Sequence, residues 1–164
     1  MKYFDFIKIG SSSFDDIVIF SREDCVGLVV DDNDHILNSL PERRDVTKVR
    51  RAISFDGVEY IDDVGCHFSP IATVLKEQKV GEVTILKVHL GGNSCKLLLD
   101  LFEYLEKENI GRQHSPKHIS FEYTSEASSV DDLYNTLRKA AALGYSVDSQ
   151  TPGRLFLNFT DYQS

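Results

Sequence analysis

The sequence predicts an α+β domain built on a mixed β-sheet. The N-terminal half consists of short, alternating apolar segments separated by polar turns, which is typical of β-strands. The C-terminal half alternates strand, helix, strand, helix and strand, which predicts a sheet covered by helices. With 164 residues, 41% of them hydrophobic and 27% charged, the chain suits one globular domain. We expect a single domain over 1–164, with possible subdomains at 1–66 (β-rich) and 67–164 (α/β).

The first half predicts several short strands. KYFDFIKI (Lys2 to Ile9) alternates aromatic and branched residues with polar ones and predicts the first strand. IVIF (17–20) and CVGLVV (25–30) predict two more, with a polar turn between them. The Asp56-Gly57 dipeptide lies between two extended segments and predicts a hairpin over about 48–61. We expect these strands to be antiparallel and to extend or cap the sheet of the second half.

Three helices are predicted before residue 112. HILNSLPERRD (35–45) predicts a short helix that ends before Pro41. Ser69 followed by Pro70 is typical of a helix start, with Ser69 as the N-cap. NSCKLLLDLFEYLEKENIG (93–111) is the clearest helix, capped by Asn93 or Ser94 and ended by Gly111. Its core-facing stripe has helical spacing and consists of Leu98, Leu101, Phe102 and Leu105.

The C-terminal segments alternate in type. EVTILKVHL (82–90), KHISFEYT (117–124) and GRLFLNFTD (153–161) predict strands. SSVDDLYNTLRKAAALG (128–144) predicts a helix that starts with a capping box and ends at Gly144. We expect the buried face of that helix to contain Val130, Leu133, Tyr134, Leu137 and Ala141.

The charge balance limits the partners. Asp and Glu total 26 against 18 Lys and Arg, a formal net charge of −8. Such a surface repels nucleic acid and anionic lipid and favours basic partners. No apolar segment is long enough to cross a membrane, and the N-terminus lacks the features of a signal peptide. These observations predict a cytoplasmic protein that binds neither nucleic acid nor a membrane.

No cofactor or metal is predicted. The three cysteines are scattered and form no CxxC pair, so neither a disulfide framework nor a zinc site is expected. DDNDH (31–35) lacks the glycine and the distant glutamate of an EF-hand loop. Gly91-Gly92 precedes a helix but has neither P-loop nor GxGxxG spacing. The oligomeric state is left open.

Two histidine motifs suggest one possible chemistry. His67-Phe68-Ser69 and His118-Ile119-Ser120 both follow the pattern H-x-[ST]. Together with LLDLFEYLEKENIGRQHSPKHISF they resemble the two-histidine phosphoesterases, the family of RNA ligase-like cyclic phosphodiesterases. The resemblance implies that His67 and His118 would each handle one proton and that Ser69 and Ser120 would hold phosphate, on a nucleotide or RNA cyclic phosphate. Pro70 after the first motif and the acidic composition favour structural histidines instead.

Acidic clusters suggest a different function. Carboxylates recur at predicted turns and strand ends, and we expect the following to meet a partner's cations: Asp31, Asp32, Asp34, Glu23, Asp24, Asp62 and Asp63. With its length, its acidity and the segment MKYFDFIKIGSSSFDDIVIF, the chain resembles a bacterial toxin-immunity protein of the contact-dependent growth-inhibition type. The resemblance implies a non-enzymatic inhibitor that occludes a cognate basic toxin, often a nuclease, in a stoichiometric complex. A generic protein-interaction adaptor is the remaining alternative.

Overall fold

A computed structural model describes residues 1–10, 24–55, 57–111, 114–123, 130–151 and 154–159. The strands of this part are β1 (Lys2–Ile9), β2 (Gly27–Asp31), β3 (Val46–Arg50), β4 (Ala52–Ile53), β5 (Tyr60–Ile61), β6 (His67–Ser69), β7 (Val80–Val88), β8 (His118–Glu122), β9 (Tyr145–Thr151) and β10 (Arg154–Phe159). The helices are α1 (Asp34–Ser39), α2 (Ile71–Glu77), α3 (Ser94–Lys107) and α4 (Val130–Ala142). The predicted strand at 17–20 lies outside the described residues.

The main sheet has seven strands in the order β3-β2-β1-β7-β8-β10-β9. The first five are parallel, and β10 is antiparallel to both of its neighbours. The predicted α+β class with a mixed sheet is therefore confirmed. The antiparallel arrangement expected for the N-terminal strands is wrong, because β1, β2 and β3 run parallel. All five residues of β2 are buried, which is typical of a parallel sheet covered on both faces.

The order of the parallel strands creates a switch point beside β1. The chain places β2 and β3 on one side of β1 and then returns to place β7 and β8 on the other. Counted along the sheet, this is the order 3-2-1-4-5 of doubly wound α/β folds. Ile9 pairs with both Val30 and Val88, so the carboxyl ends of β1, β2 and β7 meet at one edge.

Side chains alternate across the sheet and fill two cores. Ile7, Leu28 and Leu86 belong to the larger core, which α2, α3 and α4 complete. Phe6 and Val29 point to the opposite face, where Leu37 of α1 packs. This alternation follows from the two-residue period of a strand, and it leaves helices on both faces of the sheet.

A second, three-stranded sheet replaces the predicted hairpin over 48–61. Its order is β4-β6-β5, with β4 parallel and β5 antiparallel to the central β6. Gly57 has the positive φ expected of the Asp-Gly turn, +68°. The two flanking strands nevertheless pair with β6 rather than with each other. The Tyr60 ring stacks on Phe68 at 4.7 Å between ring centroids, which supports this pairing.

The predicted helices exist, but two of their boundaries differ. Ser69 belongs to β6 and Pro70 is the N-cap of α2, without a side-chain cap bond. Helix α3 ends at Lys107, and Asn109 takes the left-handed conformation (φ +48°) that we expected at Gly111. Asparagine tolerates this conformation because its short polar side chain bonds locally.

The buried face of α4 agrees with the prediction only in part: Leu133 and Leu137 pack against the core, as predicted. Thr136 and Ala140 are its buried residues, whereas Val130 and Tyr134 are 79% and 65% exposed. The face that α4 buries is therefore rotated about the helix axis by about one residue from the apolar stripe that the periodicity predicted. Gly144 does follow the helix with positive φ, as predicted. Strand β9, which directly follows this glycine, had no counterpart in the sequence prediction.

Candidate functional site

A cleft with a volume of about 200 Å³ lies at the carboxyl edge of the parallel strands. Its floor contains Ile9 and Gly10 after β1, and Asp31 and Asp32 at the end of β2. Its walls come from the small sheet and from the segment after β7, and include Arg51, Ile53, Phe68, Leu90 and Asn93. Clefts at the switch point of a doubly wound sheet are the usual ligand sites of such folds. The cleft is therefore the candidate site.

Gly10 lets β1 and β7 meet closely under the cleft. The residue has a φ of +87°, and a Cβ atom there would lie 2.1 Å from the carbonyl oxygen of His89. The backbone N–H of His89 donates to the Ile9 carbonyl at 2.8 Å, which holds the two strand ends together. A side chain at position 10 would push them apart, so only glycine suits this position.

Asp31 is the most unusual residue of the cleft. Its side chain is almost fully buried, with the residue only 3% exposed. Oδ1 accepts the backbone N–H of Asn33 at 2.9 Å. Oδ2 is buried and has no hydrogen-bond partner among the described residues. A buried carboxylate oxygen without a donor costs about 1–3 kcal/mol or more, so a donor from a ligand would stabilise this site.

The surroundings of Asp31 change its acidity. Burial raises the pKa of its carboxyl group, and the neighbouring Asp32 carboxylate raises that pKa further. The Asn33 N–H and the Lys8 ammonium group act in the opposite direction. Because burial is the largest cause, the ionised carboxylate has a higher free energy here than in water. Such destabilised carboxylates are typical of functional sites.

Arg51 lines the same cleft and links three elements. Its Nη1 donates to Ser69 Oγ at 2.8 Å and lies 3.1 Å from Glu77 Oε2 of α2. Its Nε is buried and has no partner among the described residues. Arg51 thus fixes β6 and α2 beside the cleft and keeps one further donor. Sequence reasoning missed this residue, because the cluster RRDVTKVRR gave no sign of which arginine points inward.

The remaining wall of the cleft is apolar and partly aromatic. Ile9, Val30, Ile53 and Leu90 contribute aliphatic surface, and Phe68 contributes a ring held flat by its stack on Tyr60. A cleft with apolar walls and a few convergent polar groups suits a small organic ligand. Here the polar side chains are two carboxylates, the Arg51 guanidinium and the Asn93 amide.

The predicted acidic residues have different environments. Asp31 and Asp32 line the cleft, whereas Asp34 begins α1 and lies 2.9 Å from Arg50 Nη1. Asp62 Oδ1 accepts the backbone N–H groups of Val64 and Cys66, so it fixes a turn. Asp24 and Asp63 are exposed, and Glu23 lies outside the described residues.

The environment of Cys66 shows that several of these carboxylates lie close together. Burial raises the pKa of its thiol, and Asp62 and Asp32 raise it further. Asp32 follows β2 and Asp62 follows β5, so both sheets bring carboxylates to the same edge. The raised pKa keeps the thiol protonated at neutral pH and makes it a poor nucleophile.

The two histidine motifs lie in different sheets. His67 is in β6 of the small sheet, where its Nε2 lies 2.7 Å from Glu59 Oε1 and 3.4 Å from Ser69 Oγ. His118 begins β8 of the main sheet and is exposed, and Ser120 is buried within that strand. Neither histidine lines the cleft.

A third histidine was not singled out from the sequence. His89 follows β7 at the carboxyl edge and is buried, with Nδ1 3.5 Å from Glu122 Oε2 at the end of β8. The only sequence signal for it is its position between an apolar strand and Gly91-Gly92. His89 and Glu122 thus form a histidine–carboxylate pair on the far side of the switch point from Asp31.

The described part of the chain lacks two further features, a metal-binding cluster and a membrane-spanning helix. It contains no group of three His, Cys, Asp or Glu side chains placed to hold a metal ion. None of its helices combines the length and the apolar character needed to cross a membrane. No protein-family model matches the chain, and no curated protein is significantly similar to it in sequence.

Proposed function

We propose that the domain binds a ribonucleoside without phosphate groups, with S-adenosylmethionine as the cofactor of matching charge. One observation carries the proposal: a buried carboxylate, Asp31, ends the second strand of a 3-2-1-4-5 sheet with Oδ2 lacking a donor in the described residues. In doubly wound sheets an acidic residue after the second strand accepts hydrogen bonds from ribose hydroxyls. The ribose would supply the donors that Asp31 lacks.

The charge of the cleft selects the kind of nucleoside. Asp31 and Asp32 lie side by side at its floor, and the segment after β1 has no GxGxxG pattern. A diphosphate would face these two carboxylates, which repel it, and the sequence lacks the glycine pattern that binds diphosphate in dinucleotide sites. S-adenosylmethionine carries a sulfonium and an ammonium group, so its charge is complementary to the two carboxylates.

The size and lining of the cleft suit part of such a ligand. Typical small-molecule pockets measure about 300–1,000 Å³, and the cleft has about 200 Å³. The enclosed part therefore holds the adenosine portion, whose flat base matches the apolar wall with Phe68. The amino-acid portion would lie toward the open mouth. The sequence predicted no cofactor, and the titration described next tests that expectation against this proposal.

Calorimetric titration tests the proposal. Wild-type protein is titrated with S-adenosylmethionine, S-adenosylhomocysteine, adenosine and ATP, and we expect the first three to bind and ATP to bind far more weakly. Asp31→Asn should weaken binding by about 10- to 100-fold, because hydrogen bonds to a charged group contribute about 1.5–3 kcal/mol. Asp32→Asn is the matched control and should weaken binding less. Absence of binding to all adenosine ligands, or equal affinity in Asp31→Asn, would contradict the proposal.

The immunity-type function expected from sequence is a second proposal, for which the acidic edge is the supporting observation. Asp32 and Asp63 are exposed, and Asp32 and Asp62 both act on the Cys66 thiol. A basic toxin would meet this edge in the cytoplasm, and electrostatic attraction would raise its association rate. Reversing Asp32 and Asp63 to Lys should lower the association rate with the toxin encoded beside this gene by about tenfold at low salt. An unchanged rate would remove the edge from that interaction.

The two-histidine phosphoesterase stays a prediction that no observation here favours.

A further inference from the structure

A cluster of apolar side chains lies exposed around β5. Four of the nine large apolar side chains that are exposed in the described residues fall between positions 58 and 64. They are Val58, Tyr60, Ile61 and Val64, with exposures of 54%, 47%, 68% and 85%. We call them the β5 surface. Exposed apolar residues scattered singly are ordinary, whereas four within positions 58–64 are concentrated on one edge strand and its turns, as in interaction sites.

The β5 surface is held in place by its own contacts. The Tyr60 ring is parallel to Phe68 within 5°, and Ser54 Oγ donates to the Val58 carbonyl at 2.7 Å. Asp62 Oδ1 fixes the turn that carries Val64. Strand β5 pairs only with β6 and forms the outer edge of the small sheet in the described part of the chain. An ordered surface loses little entropy on binding, so it suits recognition.

The rim of the β5 surface is acidic. Positions 57–66 contain Glu59, Asp62 and Asp63 and no Lys, Arg or His. Glu59 pairs with His67 of the adjacent strand, whereas Asp63 is exposed. An apolar centre with a charged rim is the usual anatomy of a protein-protein interface.

Charge decides among the possible occupants. A second copy of the chain, docked through the same surface, would bring like-charged carboxylates, above all the exposed Asp63 of each copy, into one interface. Nucleic acid and anionic lipid are repelled by the same carboxylates. A protein segment that combines lysine or arginine with apolar side chains satisfies both the rim and the centre.

We propose that the β5 surface docks a basic segment of a partner protein, with apolar side chains of that segment packing on Ile61 and Val64. The inference rests on the second proposed function, to which it adds an anchor, and it is independent of the nucleoside. Aromatic and aliphatic anchors supply most of the affinity of an interface, and rim charges chiefly set the association rate.

Fluorescence anisotropy with labelled eight-residue peptides tests the docking surface. The probes are (Lys-Val)4, (Lys-Ser)4 and (Glu-Val)4. We expect (Lys-Val)4 to bind at least tenfold more tightly than either of the others. Ile61→Ser and Val64→Ser should each weaken its binding several-fold. Val130→Ser, at an equally exposed valine on α4, is the matched control and should leave the affinity unchanged.

Each opposing result has a distinct meaning. Equal affinity for (Lys-Val)4 and (Lys-Ser)4, unaffected by Ile61→Ser, would overturn the docking surface and leave the electrostatic proposal standing. Failure of both lysine peptides to bind would overturn both. Tight binding of (Glu-Val)4 would overturn the selection by charge. A dimer seen in sedimentation and abolished by Ile61→Ser would show that a second copy is the occupant.

Discussion

Asp31 combines burial, a missing donor and a second carboxylate beside it. Burial raises the pKa of its carboxyl group, so the folded protein binds this proton more readily than the unfolded chain does. A group with a raised pKa stabilises the fold fully below its unfolded-state pKa, about 3.9 for Asp, and loses that contribution as the pH rises through the folded-state value. The ionised form of Asp31 is therefore held at a cost, which ligand binding would offset.

Asparagine at position 31 should stabilise the protein without ligand. It keeps an oxygen for the Asn33 N–H and removes the buried charge, so we expect Asp31→Asn to raise the melting temperature at pH 7 by about 2–4 °C. The gain should shrink as the pH falls toward the ordinary Asp value, because wild-type Asp31 then becomes neutral as well. Thermal unfolding between pH 4.5 and 8, with Asp32→Asn as the control, measures this difference. A lower melting temperature for Asp31→Asn at pH 7 would show that the carboxylate is stabilised by contacts of the folded chain.

At the scale of elements, the candidate site is formed by the ends of the strands. The carboxyl ends of β1 and β7 meet at Gly10, and that contact defines the floor between the carboxylates of β2 and the segment with His89. A small increase in volume at this contact would separate two central strands of the sheet, so its energetic effect should exceed that of an ordinary turn glycine.

Alanine substitutions at two glycines with positive φ measure the energetic importance of the close contact at Gly10. Gly10→Ala should destabilise the protein by at least about 3 kcal/mol, because Cβ overlaps backbone atoms in addition to the strain of positive φ. Gly91→Ala, at a φ of +56° with nothing within 4 Å of a Cβ, should cost only about 1–2 kcal/mol. Urea unfolding of the two variants compares these free energies. Equal destabilisation would mean that the strand ends can separate freely.

The elements also show what local patterns predict. The bounds of β1 agree with the alternation of KYFDFIKI, and α3 follows its apolar stripe, because both signals depend only on neighbouring residues. The predicted buried face of α4 was right for Leu133 and Leu137, which pack against the core, and wrong for Val130 and Tyr134, which have helical spacing but are exposed. The hairpin at 48–61 was wrong because β6, a segment further along the chain, lies between its strands.

At the scale of the molecule, the cleft and the β5 surface share one small sheet. Phe68 lines the cleft, Tyr60 stacks on it, and β5 forms the opposite edge of that sheet. The carboxylates differ in role: Asp31 is inside the cleft, and Asp63 is at the surface. Under the two proposals, the net charge of −8 would serve both selection of a cationic ligand and attraction of a basic protein.

The two sites should act independently. Asp31→Asn should leave the affinity for (Lys-Val)4 unchanged, and Ile61→Ser should leave that for S-adenosylmethionine unchanged, each within about twofold, because neither side chain takes part in the stack of Tyr60 on Phe68 that joins the two sites. Calorimetry and anisotropy on both variants measure this. A change of tenfold in either cross-measurement would show that the stack of Tyr60 on Phe68 couples the two sites.

The sequence alone determined the class of fold, the positions of most strands and helices, the acidity and the identity of Asp31 as a residue of interest, because each depends on composition or on local periodicity. Tertiary structure alone decided that the N-terminal strands are parallel, that β7 returns to the other side of β1, and that Asp31 is buried instead of exposed. These outcomes depend on which distant strands pair. Pairing is set by packing across the whole sheet, and no local pattern of residues encodes it.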